Sequence, residues 1–160
     1  MDLNEMPVIE RRRIEALVLG PVIRAFQDEF GEERTNELVR KVMVGIAREQ
    51  GRELAERVSG ENLQEFADGK DAWRKNGALE TTEIEKKPDR YEFDVTRCRY
   101  AEMYHEVGYG DLGGILSCAR DFAFGEGFNP KINLRRDQTI MDGDGVCTFR
   151  YDLPSQEASK

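Results

Sequence analysis

Histidine is almost absent from this chain and cysteine is scarce: one histidine, His105, and three cysteines, Cys98, Cys118 and Cys147, in 160 residues. An odd number of cysteines with no secretory leader argues against a disulfide framework. No two of the four residues form the Cys-x2-Cys knuckle of structural zinc sites. If a helix already includes Cys98, the seven-residue step to His105 rises about 10.5 Å, too far for one ion. That objection weakens if Cys98 ends a strand. The expectation is no cofactor, with metal held through Cys and His as the disfavoured alternative. Asp142-Gly143-Asp144-Gly145 has part of a calcium loop without the other EF-hand ligands, and reads as a turn.

Positive charge is also in short supply. Lys and Arg number 24 against 32 Asp and Glu, a net charge of -8. Such a chain repels phosphate backbones and anionic lipid, so neither nucleic acid nor membrane is expected as a partner. No apolar run approaches the ~20 residues that span a bilayer. Residues 1–10 are acidic, interrupted by Pro7, and lack the basic and apolar regions of a leader. A cytoplasmic location with reduced thiols is the expectation. There is no internal repeat and no low-complexity segment. Gly108, Gly110, Gly113 and Gly114 would let a ligand approach the backbone closely, but match none of the glycine-rich nucleotide patterns.

What is present is enough for one domain with a core: hydrophobic residues make up 39% of the chain. Helical spacing covers residues 7–30, with Ile14, Leu17, Val18, Ala25 and Phe26 on one side and a kink expected at Gly20-Pro21. A second helix is expected over 32–58, its apolar stripe formed by Leu38, Val42, Ile46 and Leu54. A third covers 62–73, with Leu63, Phe66 and Ala67 packed. Periodicity of two then takes over. Strands are expected at 79–86 and around Tyr91, Phe93 and Val95, joined by the turn Lys87-Pro88-Asp89. Short helices follow at 99–107 and 112–124, the second ended by Gly125-Glu126-Gly127. Strands at 131–140 and 146–151 complete the pattern. The expected fold is α+β: N-terminal helices packed with a four-stranded antiparallel sheet and two further short helices. We read one domain over residues 1–153, helical in 1–77 and sheet-containing in 78–153, with a polar, frayed tail at 154–160. The long helices pack on the sheet or on a second subunit, so a homo-oligomer stays open.

The residues able to carry chemistry fall in the second half. Cys118 sits at the border of its helix's apolar stripe, and Asp121, three residues on, shares that flank. The pair reads either as nucleophile with acid–base partner or as a small buried hydrophobe beside a surface acid. On the strand 131–140, Arg136 points with Ile132, Leu134, Gln138 and Ile140. An arginine on a core face needs a carboxylate, from Asp121, Asp94 or a ligand. Cys147 shares an inner face with Phe149 and Tyr151, and its hairpin brings it towards Arg136. His105 has a reference pKa of about 6.5, suited to proton transfer. Tyr100, Tyr104 and Tyr109 surround it.

Five segments in order carry a family resemblance: Arg97-Cys98-Arg99-Tyr100-Ala101; Leu116-Ser117-Cys118-Ala119-Arg120-Asp121; Gly127-Phe128-Asn129-Pro130; Leu134-x-Arg136-x-x-Thr139-Ile140; and Gly143-Asp144-x-x-Cys147-x-Phe149-x-Tyr151. Over roughly residues 91–151 the chain resembles the L-2-amino-thiazoline-4-carboxylic acid hydrolases. The last segment also resembles the end of vinyl-reductase-type small-molecule-binding domains. The first resemblance implies hydrolysis of a small cyclic amidine that carries a carboxylate, on a route to L-cysteine. It implies Cys118, Asp121 and His105 in catalysis, with Arg136 on the substrate carboxylate and Cys147, Cys98 and Tyr104 lining the pocket. The second implies a sensor or carrier that uses the same pocket without turnover.

Overall fold

The computed structural model describes residues 5–154. The expected tail lies, from residue 155 on, outside the described residues. Helix α1 (Val8–Phe30) runs unbroken through Pro21. Gly31, at φ +89°, reverses the chain into α2 (Glu32–Val58). Asn62 then caps α3 (Leu63–Gly69): its side chain accepts the amides of Gln64 and Glu65 while Glu65 reaches back to the Asn62 amide. The helix tightens into a 3-10 turn, Lys70–Trp73. Strands β1 (Leu79–Lys87) and β2 (Arg90–Cys98) form a hairpin. Cys98 caps α4 (Arg99–Glu106), its sulfur accepting the Ala101 amide at 3.4 Å. A π-helical turn, Gly114–Cys118, leads into α5 (Arg120–Phe128), followed by β3 (Asn133–Arg135) and β4 (Cys147–Asp152). The sheet is antiparallel in the order β1-β2-β4-β3, so the fold is α+β, with β2 and β4 at its centre.

The alternation expected around Tyr91, Phe93 and Val95 holds: all three face the core and meet Tyr151, Phe149 and Cys147 of β4 across the ladder. Rings stack along this face, Phe93 on Phe149 with centroids 4.8 Å apart. Leu63, Phe66 and Ala67 of α3 are buried against it.

Three expectations are corrected. The strand expected over 131–140 has three residues. Beyond Arg135 the Thr148 hydroxyl accepts the Asp137 and Gln138 amides, and Thr139 caps a 3-10 turn at Ile140–Asp142, so side chains replace the ladder. Gly125 and Gly127 lie inside α5 instead of ending it. A methyl at Gly127 would strike the Arg48 carbonyl, and one at Gly51 the Phe124 carbonyl, so glycine is what lets α2 and α5 cross backbone to backbone.

The third correction concerns the apolar stripes of the long helices. Ile14, Leu17, Val18 and Phe26 on α1, and Leu38, Val42 and Ile46 on α2, face outward and are 41–62% exposed. The buried sides mix small residues, Ala16 and Gly20 on α1 and Ala47 and Gly51 on α2, with a few large ones, Val8, Ile9 and Ile23 on α1 and Met43 and Leu54 on α2, of which Leu54 alone belongs to the expected stripe. Small residues let helices approach closely, and the Tyr109 ring lies directly on Gly20. Periodicity located the stripes but not the side that the molecule covers.

Candidate functional site

Where α1, α2, α5, the sheet and the 3-10 turn after α3 meet, they leave a cavity of about 70 Å³. Cys98, Cys118 and Cys147 all line it, as do Asp121 and Arg136. The elements deliver them from five places. Cys98 closes β2 and Cys147 opens β4. Cys118 ends the π-helical turn, which holds one residue more per turn than an α-helix, and Asp121 lies in the first turn of α5. Arg136 enters from the irregular segment after β3.

Arg136 is the most constrained of these side chains, 7% exposed. Its Nη1 donates to Asp121 Oδ2 at 2.6 Å and its Nη2 to the Cys118 carbonyl at 3.2 Å. The guanidinium lies between the rings of Phe122 and Phe149, 5.1 and 5.2 Å from their centroids. Its Nε–H is buried without a partner among the described residues. Of the carboxylates that spacing offered, Asp121 is the one that Arg136 takes; Asp94 pairs with Arg150 at 2.8 Å.

Lys70 escaped the sequence reading. It sits where α3 tightens, one residue past the helix, and points under the sheet. Its Nζ lies 5.3–6.0 Å from the centroids of five rings, those of Phe66, Trp73, Phe124, Phe149 and Tyr151. It donates to the Tyr151 hydroxyl at 3.2 Å and stands 3.9 Å from Asp121 Oδ1. Burial pushes its pKa down; Asp121 opposes that, and the nearby charges of Arg74 and Arg136 add to it. The one available signal was its position: three or four residues after Phe66 and Ala67 puts Lys70 on the packed side of that helix.

A second pair of cations closes the far wall. Arg12 and Arg120 both line the cavity and share Glu15: Arg12 Nη1 bonds its two oxygens at 2.8 and 2.9 Å, Arg120 Nη2 one of them at 3.2 Å. Arg120 also donates to the Leu116 carbonyl at 2.7 Å. The lining thus brings four cations, Arg12, Lys70, Arg120 and Arg136, against two carboxylates, Asp121 in the lining and Glu15 behind it, in a chain of net charge -8.

The thiols are held in their protonated form. Burial raises Cys118, and the neighbouring Asp121 raises it further while Arg136 partly compensates. Burial pushes Cys98 up to about 11, against the Ala101 amide that would stabilise a thiolate. Cys147 is raised by burial too, although its sulfur accepts the Ile140 amide at 3.2 Å. Tyr104 is fully buried in the neighbouring apolar cluster with an unpartnered hydroxyl, and does not line this cavity. His105 is exposed on α4, its ring against Gly110, and does not line it either. Among the described residues, no three His, Cys, Asp or Glu side chains are grouped as a metal site requires, and no helix is long and apolar enough to cross a membrane.

Residues 11–151 match the profile of the L-2-amino-thiazoline-4-carboxylic acid hydrolase family. No curated protein matches the sequence. Among solved structures the fold is similar to the phenol-responsive sensory domain of the transcription activator PoxR, solved with phenol. That likeness has a TM-score of 0.57 and 12% identity, and it covers 85% of this chain and 73% of the other.

Proposed function

Because the chain belongs to the L-2-amino-thiazoline-4-carboxylic acid hydrolase family, we propose that its cavity binds a small cyclic amidine bearing a carboxylate and opens the ring by hydrolysis. The observation that carries this reading is two buried cations, Lys70 and Arg136, on the single carboxylate of Asp121, with Arg12 and Arg120 sharing Glu15 in the same way across the cavity. Buried charge without a counter-charge is costly, so an anionic ligand completes the site. Arg136 has a donor for it, the Nε–H that no atom of the described residues accepts. The cavity's volume of about 70 Å³ sets the ligand at the small end of the scale, a single small ring.

The electrophile is the ring carbon between nitrogen and sulfur. Water adds there: a carbon–oxygen bond forms as the carbon–nitrogen double bond opens onto nitrogen, the water's proton passes to Asp121, and the nitrogen's pair re-forms the double bond when the ring opens. The bond to a ring heteroatom then breaks with its electron pair, and that atom takes a proton from the Lys70 ammonium across the gap to Asp121. The proton held by Asp121 returns to Lys70, so the site ends as it began. Attack by Cys118 is the alternative route. It first requires a thiolate, which burial and Asp121 both disfavour. His105 has no part in this scheme, since it lies outside the cavity lining.

Incubation with L-2-amino-thiazoline-4-carboxylate, followed by carbon NMR, tests the reading. The ring signal should disappear enzymatically, at least 100-fold more slowly with Asp121→Asn, while Cys118→Ser keeps most of the rate. A covalent adduct on Cys118 seen by mass spectrometry, with Cys118→Ser inert, would replace water attack by the thiolate route. Family membership does not by itself fix a reaction, and the likeness to a phenol-responsive sensory domain supports a second reading, a ligand sensor. A sensor returns its ligand unchanged while the ligand raises Tm.

A further inference from the structure

The outward apolar face of the helical hairpin has no role in the site. On α1 it is one unbroken i+4 ridge from Ile14 to Phe30, through Val18, Val22 and Phe26. On α2 it is a second, from Leu38 through Val42 to Ile46. Between them runs a groove of about 460 Å³ lined by side chains of both helices, almost all apolar. Phe26 and Phe30 pack on each other at its edge, with centroids 5.9 Å apart, and are 50% and 59% exposed.

We propose that this face is the interface of a two-fold homodimer, in which a second copy of the chain lays its α1–α2 hairpin across the first to make a four-helix bundle. Three observations select this occupant. The first is area. With Leu17, nine large apolar side chains are 41–62% exposed on this face. They leave roughly 800 Å² to cover, which is what each partner contributes to a standard stable interface. It also exceeds the patch that monomers usually leave bare. The second is shape. Ridges at i+4 with a groove beside them are the surface that packs into its own copy across a two-fold axis, the commonest closed symmetry. The third is the border. Exposed Glu29 flanks the α1 ridge, Glu37 and Lys41 flank the α2 ridge and Arg34 lines the groove, so the rim has both signs and can pair with itself. A lipid surface calls instead for a polar side rich in Lys and Arg.

Pairing also bears on the cavity. Arg12 on α1, and Ala47 and Gln50 on α2, line it from the inner side of the same helices. The partner hairpin therefore braces the wall that holds Arg12 in place.

Sedimentation velocity at 1–100 µM with this chain decides the matter. The wild type should sediment at twice the 18.4 kDa chain mass. Val18→Glu and Val42→Lys each put a charge at the centre on both copies and should weaken the dimer at least 100-fold, with unchanged far-UV circular dichroism. Ile84→Glu, equally exposed but on β1, should leave it intact. A wild-type monomer at 100 µM overturns the proposal. So does a dimer that survives both hairpin variants, an open-ended polymer, or a monomer that binds phosphatidylcholine vesicles through these residues. None of these outcomes depends on turnover.

Discussion

Replacing Asp121 with asparagine leaves two cations without their carboxylate. Asp121 stands 2.6 Å from Arg136 and 3.9 Å from Lys70, and the three side chains are 23%, 7% and 11% exposed. Arg136 and Lys70 are too buried for bulk water to take the place of that carboxylate. Breaking one side of a buried pair costs about 3–5 kcal/mol, and the partial exposure of Asp121 puts this case near about 3 kcal/mol. For a chain of this size that lowers Tm by about 6–12 °C. Arg136→Met should cost less, about 1–2 kcal/mol, because Lys70 remains to face Asp121 and methionine fills the space between Phe122 and Phe149. The double variant should then be more stable than the sum of the two changes by at least about 1.5 kcal/mol. Urea unfolding followed by circular dichroism gives all four corners of the cycle. Single costs that add to within about 0.5 kcal/mol would mean that the 2.6 Å contact contributes nothing particular to the fold.

Three further outcomes follow, one from the packing and two from the thiols. Gly127→Ala should destabilise by about 2 kcal/mol, since its methyl meets the Arg48 carbonyl. Gly45→Ala, on the open side of α2, should stabilise by up to about 1 kcal/mol in the same urea assay; equal effects would contradict the close crossing of α2 and α5. Iodoacetamide at pH 7.5 should modify the native cysteines far more slowly than free cysteine, because all three are raised by burial. The folded state then binds more protons than the unfolded one above about pH 8.5. The thiols' contribution to stability is complete below that pH and is lost as pH rises through the folded values, about 11 for Cys98. Stability that climbs from pH 8.5 to 10 would contradict the assignment.

Much of the fold was legible because local patterns and tertiary packing agree there. The β1–β2 hairpin, the inward row Tyr91, Phe93 and Val95, and the capped helix starting at Leu63 each follow from alternation or from a cap. The long helices were legible in extent and not in orientation. Most of their large apolar residues form the outward stripe that periodicity finds, whereas their packed sides interleave a few large residues such as Ile23, Met43 and Leu54 with Ala and Gly, which carry almost no hydrophobic signal. Around the cavity, the inward arginine and its partner Asp121 could be anticipated from spacing, since three residues separate Asp121 from Cys118 and a buried guanidinium requires an acid. Lys70, Arg12 and Arg120 were missed. Lys70 and Arg12 come from segments distant in sequence, Arg120 lies beside Asp121 itself, and each is a residue type that a pattern reading assigns to solvent. The short β3 escaped for a similar reason: Thr148, on another strand, supplies the bonds that end it.

Trp73 is the only tryptophan in the chain and lines the cavity. Its fluorescence, titrated with L-2-amino-thiazoline-4-carboxylate and with the same ring lacking the carboxylate, reports directly on whether the cations around Asp121 hold an anion. The account predicts saturable change, at least tenfold tighter binding of the carboxylate, and loss of that preference in Arg136→Met. Equal affinity for the two rings, or a preference that survives the loss of Arg136, would contradict it.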